Sequence, residues 1–166
     1  MTTAWLVDVG YVVKTAPARF KLDYVAARDL LSARYGSVQA IVFNGYDESF
    51  GLSPGLRGFY QAMEQQGMTV RLHPMAGDLA LGDHRQRLVD VDIAAHMVWQ
   101  ASLATVERIV LTSGDQDFLP AVEMVRDKLR KEVVLFAYTA NVHKALQSAA
   151  DCVLRFEDHE QRLARR

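Results

Sequence analysis

Residues Val106 to Phe118 read VERIVLTSGDQDF, and this stretch decides the fold. A short β-branched run, Ile109-Val110-Leu111, stops at the small residues Thr112-Ser113-Gly114, and two carboxylates follow, Asp115 and Asp117. β-Branched residues suit a pleated strand, and a Ser-Gly-Asp cluster suits a turn. In an open parallel α/β sheet, ligands bind beyond the carboxyl ends of the strands. Acids at that position look like half of a divalent-metal site. The rest of the chain has to supply the other half.

Outward from this strand, strands and helices alternate almost to the end. Trp5 to Val9 is a first strand, apolar enough to be buried on both faces. Asp23 caps a helix through roughly Tyr35, and Gly36 ends it. Val38 to Phe43 is a second strand and Asn44 to Leu52 a loop. Ser53-Pro54 opens a helix as N-cap and first helical residue, closing near Gly67. Met68 to His73 is a third strand, and Pro74 to Arg87 a polar, glycine-punctuated loop. Leu88 to Leu103 is a long helix and Val106 to Leu111 the fourth strand. A helix over Phe118 to Leu129, a strand over Glu132 to Tyr138, a short helix over Val142 to Ala149 and a strand over Cys152 to Phe156 complete the unit. The alternation predicts one domain, residues 1–157, built as a three-layer α/β/α sandwich on a mostly parallel, Rossmann-like sheet of about five to six strands. Residues 158–166 form a polar tail, frayed or weakly helical.

Composition bounds the function. Half of the 166 residues are hydrophobic and 23% are charged, a globular profile with a core of real size. A formal charge of −1 argues against a generally basic nucleic-acid coat, so such binding would need a local patch. Cys152 is the only cysteine, which excludes an internal disulfide and a cysteine-built zinc cage and fits a reducing cytoplasm. The N-terminus lacks a basic leader, and no apolar run approaches the ~20 residues of a membrane span. No membrane partner is expected.

Three places carry acids able to converge. Asp8 ends the first strand, Asp115 and Asp117 follow the fourth, and Asp90 and Asp92 sit early in the helix between them. In a doubly wound sheet the first and fourth strands are neighbours across the switch point, which brings Asp8 toward Asp115. Carboxylates without cysteines or a histidine cluster suit hard cations, Mg²⁺ or Mn²⁺, which can activate water and stabilise charge on a phosphodiester. Asp90 and Asp92 cannot both serve, because residues two apart lie about 200° apart around a helix. Ordinary roles stand beside each assignment: Asp8 capping the next turn, Asp115 in turn chemistry, Asp117 as an N-cap, Asp90 favouring a helix N-terminus.

The order of LVDVGY, RLVDVDIA, VLTSGDQDF and LQSAADCVLRF resembles the NYN domains of the PIN-like nuclease superfamily, over roughly Ala4 to Phe156. The resemblance implies a Rossmann-like fold, an acidic cluster binding Mg²⁺ or Mn²⁺, and ribonuclease activity. Carried over by motif, Asp8, Asp90, Asp115 and Asp117 are the catalytic and metal-site candidates, Ser113 orients a carboxylate or phosphate, and Asp92 is second choice. Where the family's first motif usually ends in Asn, this chain has Tyr11, able to stack on a base or to block the site. RNA is the expected partner. His84, Arg85 and Arg87 can engage phosphates before Asp90 or form a solvated loop face, and Tyr11 and Tyr46 can stack on unpaired bases.

The leading expectation is therefore a metal-dependent endoribonuclease. Its rival is a weak or inactive NYN domain acting as an RNA-binding or protein scaffold. A haloacid-dehalogenase-type phosphatase is set aside because Gly10 stands where its second Asp is needed. A topoisomerase-primase fold expects Glu at Asp8, and no dinucleotide-binding glycine motif follows the first strand. The helix VDVDIAAHMVWQASL is apolar around most of its circumference, so it is deeply buried or meets a second subunit in a homo-oligomer. Trp99 is expected to be buried in the core, and it is the residue to suspect if the helix meets a second subunit. Met63, Met97 and Met124 read as core filler.

Overall fold

The computed structural model describes residues 1–18, 20–75 and 82–165, the side chains of 82–87 excepted. Six strands form one sheet: β1 (Thr2–Asp8), β2 (Val38–Asp47), β3 (Thr69–Met75), β4 (Val106–Thr112), β5 (Glu132–Ala137) and β6 (Cys152–Arg155). Their order is β3-β2-β1-β4-β5-β6, and every neighbouring pair is parallel. The helices are α1 (Val9–Thr15), α2 (Tyr24–Tyr35), α3 (Pro54–Gln65), α4 (Gly82–Ser102), α5 (Leu119–Glu123), α6 (Lys144–Ala149) and α7 (Glu160–Leu163). Strand order reverses at β1, so right-handed crossovers to either side of it put helices on opposite faces. This is the expected α/β sandwich, with β1 and β4 side by side.

The middles of the central strands are apolar because both faces are covered there. Six of the seven residues of β1 are buried, as are Ile109, Val110 and Leu111 of β4. Trp5 is fully buried, and its indole N–H donates to Thr112 Oγ1 at 2.9 Å, which ties β1 to the end of β4. Removing an indole from such a position costs about 3–5 kcal/mol.

Several boundaries differ from the sequence reading, each for a local reason. β1 stops at Asp8 because its carboxylate accepts the Tyr11 N–H at 3.1 Å and starts α1, a helix the sequence did not announce. Asn44 to Asp47 continue β2 instead of looping, since β3 supplies partners as far as Asp47↔Met75. Pro74 is tolerated in β3 because that strand is an edge of the sheet. α4 begins at Gly82, within the stretch expected to be loop. The helix after β4 starts with a 3-10 turn (Gln116–Phe118), and a π-helical turn (Met124–Lys128) follows α5.

The polar tail is anchored. Leu163 is fully buried, Leu22 and Ala164 form an antiparallel bridge, and the Arg165 N–H donates to the Lys21 carbonyl at 2.7 Å. Met63 and Met97 are buried as expected, but Met124 is exposed. Trp99 is 55% exposed, against the expected core burial, and shares the outer side of α4 with exposed Leu88 and Val91. Among the described residues no helix is long and apolar enough to cross a membrane.

Candidate active site

Asp8 anchors the site at the switch point. It is 4% exposed, yet both its oxygens are used: Oδ1 caps α1 through the Tyr11 N–H, and Oδ2 accepts the Ser113 hydroxyl at 3.1 Å. Ser113 therefore orients a carboxylate, one of the two roles the resemblance implied. Burial pushes the Asp8 carboxyl up, against the pull of the Tyr11 amide, the Ser113 hydroxyl and the Lys14 ammonium.

Asp115 and Asp117 are exposed at the end of β4, where Asp115 Oδ1 accepts the Asp117 N–H at 3.0 Å and caps the 3-10 turn. The N-cap is thus Asp115 and not Asp117. Buried Phe118 pins the turn from below. Gly114 is required here: a Cβ would run into the Asn141 carbonyl and the Tyr11 ring. The Gly114 carbonyl also accepts the His143 N–H at 3.0 Å, so the loop after β5 braces the turn.

The fourth acid comes from α4. The Asp90 carboxyl is pushed up to about 7, first by burial and then by the negative charges of Asp8, Asp115 and Asp117. The other three expected acids therefore all lie within electrostatic reach of Asp90, and Lys14 opposes the charge at Asp90 and Asp8. Asp92, the second choice, faces elsewhere. It accepts from Arg71 Nε and pairs with His73 Nε2, both at 2.7 Å, and with His96 Nδ1 at 3.0 Å. Those partners hold its carboxyl below the usual range, although burial alone would raise it.

Tyr11 does not reach the surface. It is buried, and its hydroxyl donates to the Tyr138 carbonyl at 3.0 Å, so it is no stacking platform for a base. It neither extends into the site nor blocks it; it packs beneath the Gly114 turn. The sequence reading missed Asn44. β1–β2 pairing sets Asp8 opposite Phe43, and a Cβ on Gly10 would lie 3.3 Å from Asp8 Oδ1 and 4.0 Å from Asn44 Oδ1. Asn44 thus lies at the same end of the sheet as Asp8, its amide held by the Gly45 N–H and the Tyr60 hydroxyl. The strand-end rule that selected Asp8 applies equally to Asn44. Lys14, also missed, comes from α1. The side chains of His84, Arg85 and Arg87 lie outside the described residues.

The acids do not form a closed cage. Among the described residues, no group of three or more His, Cys, Asp or Glu is arranged to hold a metal ion. The donor chemistry nonetheless suits a hard cation, since the set is all oxygen and the Asp90 carboxyl is raised by burial and then by its acidic neighbours. A Mg²⁺-type ion that keeps several water ligands needs few protein oxygens.

An open parallel sheet with carboxylates gathered at its switch point defines a Rossmann-like α/β domain of the PIN-like type. A family model of the NYN domain matches residues 2–157, and the chain belongs to that family, whose members are generally nucleases. Among solved structures it is similar to a protein of unknown function from Vibrio parahaemolyticus RIMD 2210633, with a TM-score of 0.80 at 23% identity, covering 99% of this chain and 96% of that one. That likeness concerns the fold. No curated protein matches the chain.

Proposed function

We propose that this protein is a metal-dependent endoribonuclease whose catalytic and metal-binding acids are Asp8, Asp90, Asp115 and Asp117. The observation that carries the reading is the Asp90 carboxyl, raised to about 7 by burial and by three neighbouring acids. Three acids around a part-buried fourth, which Lys14 offsets only in part, favour a bound cation. Bound Mg²⁺ or Mn²⁺ would neutralise the acids and polarise the scissile phosphodiester.

The chain's own groups do the positioning. Ser113 and the first turn of α1 hold Asp8 in one orientation, while Asp115 fixes the backbone turn that presents Asp117. Lys14 supplies positive charge beside the acids and draws in the phosphate backbone, and the sequence offers Arg85 and Arg87 for the same role. Asn44 offers an amide at the same edge.

A second reading, an RNA-binding or protein scaffold without catalysis, is favoured by the missing three-carboxylate arrangement among the described residues and by Tyr11 in place of the family's Asn. One experiment separates the two. Labelled single-stranded RNA is incubated with Mn²⁺, Mg²⁺ or EDTA, using wild type and Asp115→Asn. The nuclease reading expects metal-dependent cleavage lost in the variant; binding without cleavage in every condition selects the scaffold.

A further inference from the structure

A cavity of about 500 Å³ opens next to the acidic site, between α1, the segment after it, α2 and α3. Val9, the residue after Asp8, lines it, and so does Asn44, so the cavity and the acids share one edge of the sheet. Its size lies within the range of ~300–1,000 Å³ usual for ligand sites. The walls are apolar and aromatic, with Phe20, Tyr24, Phe59 and Tyr60 among them. Tyr24 and Tyr60 each meet Phe59 edge to face, at centroid distances of 5.8 and 5.2 Å.

Polar groups converge inside it. Asn44 Nδ2 donates to the Tyr60 hydroxyl at 2.6 Å, which leaves the tyrosine proton available to another acceptor. Tyr24 brings a second hydroxyl, whose pKa is raised first by burial and then by the neighbouring Asp8 carboxylate. Two exposed cations also line the cavity, Lys21 and Arg165, the latter with its guanidinium 6.0 Å from the Phe59 ring centre.

We propose that this cavity takes one unpaired nucleobase, with its sugar, from the strand whose phosphate lies at the acids. The proposal rests on the nuclease reading and deepens it, because it makes the substrate single-stranded at that position. Aromatic walls suit any base face, the amide and hydroxyls suit a base edge, and Lys21 and Arg165 match the flanking phosphates. A paired base cannot enter a recess of this kind without leaving its stack.

The test uses a set of short single-stranded RNAs, each with one base removed in turn, assayed with Mn²⁺ for both cleavage and binding. Leu56, half-exposed on the cavity wall, is changed in Leu56→Glu, and Phe59 in Phe59→Ala. Glu at position 56 is compatible with folding, since it completes a capping box with Ser53, whose hydroxyl already caps the Leu56 N–H. One abasic position is expected to raise KM about tenfold with kcat unchanged, the scale of one base stacked on aromatics. Both variants are expected to raise KM for the fully based RNA about tenfold and to erase the positional effect of the abasic site. Cleavage indifferent to every abasic position overturns the pocket and leaves the nuclease standing. Binding that depends on one base, without cleavage, keeps the pocket and sinks the nuclease. RNA neither bound nor cut overturns both.

Discussion

Asp90 and Asp92 stand two residues apart on one helix and behave oppositely. Asp90 is surrounded by acids, and its carboxyl rises to about 7. Asp92 sits between Arg71, His73 and His96, and its carboxyl falls below the ordinary range. The helical repeat sends them to different sides, and the two sides meet different partners. One acid is held by compensating charge and serves the fold, clamping α4 to β3. The other stands at a strand-end cleft among three acids that Lys14 offsets only in part, the arrangement expected of a functional carboxylate.

The largest break of this contrast is in catalysis. Asp90→Asn is expected to lower kcat for RNA cleavage by at least about a hundredfold, near 3 kcal/mol of transition-state stabilisation. Asp92→Asn is expected to leave kcat within about threefold. Single-turnover cleavage under saturating Mn²⁺ checks both, and equal losses would dissolve the distinction.

Stability should reverse the ranking. Asp92→Asn removes the charge and one of the two carboxylate oxygens that Arg71, His73 and His96 face, a loss of about 2 kcal/mol, seen as a fall in Tm of about 4–8 °C. Asp90→Asn removes an unfavourable charge, so in EDTA at pH 8 its Tm should rise by about 3 °C, for about 1 kcal/mol once partial exposure is allowed for. Added Mg²⁺ should raise the wild-type Tm and leave Asp90→Asn nearly unmoved.

The pH profile sharpens the contrast by sign. With its carboxyl raised from 3.8 to about 7, the folded protein binds a proton at Asp90 that the unfolded chain has released. Its contribution favours folding fully below about pH 4 and is lost as pH climbs through about 7. Asp92, lowered, contributes above the unfolded value and loses that contribution as the solution turns acid. Urea titrations in EDTA from pH 3 to 8 should show the pH 4–7 decline flattened in Asp90→Asn and the acid-side loss reduced in Asp92→Asn.

The smallest effect concerns Tyr11. Tyr11→Phe removes one buried hydrogen bond to the Tyr138 carbonyl and should cost about 1 kcal/mol, with cleavage within about twofold of wild type. A large kcat loss in a well-folded Tyr11→Phe protein would return the hydroxyl to the chemistry.

The strand-turn stretch around Leu111 was legible because period and composition are local: apolar β-branched residues, then small ones, then acids. The same holds for Ser53-Pro54 and Asp23, whose capping roles the structure reproduces. α1 was hidden because its N-cap, Asp8, also reads as the last residue of a strand. Asn44 was hidden because its standing depends on which strand lies next to β1 and in what register. Tyr11 was misjudged as a surface ring, since burial depends on Gly114 and Tyr138, both more than a hundred residues away.

The sequence by itself determined the alternation of elements, the acids at strand ends and the membership of the NYN family, all carried by residues close together along the chain. Only the tertiary structure decided which of two helical aspartates is neutralised, which amide shares the sheet end with Asp8 and where a base-sized recess opens. Charge, desolvation and cavity shape depend on neighbours in space, and the fold alone brings those neighbours together.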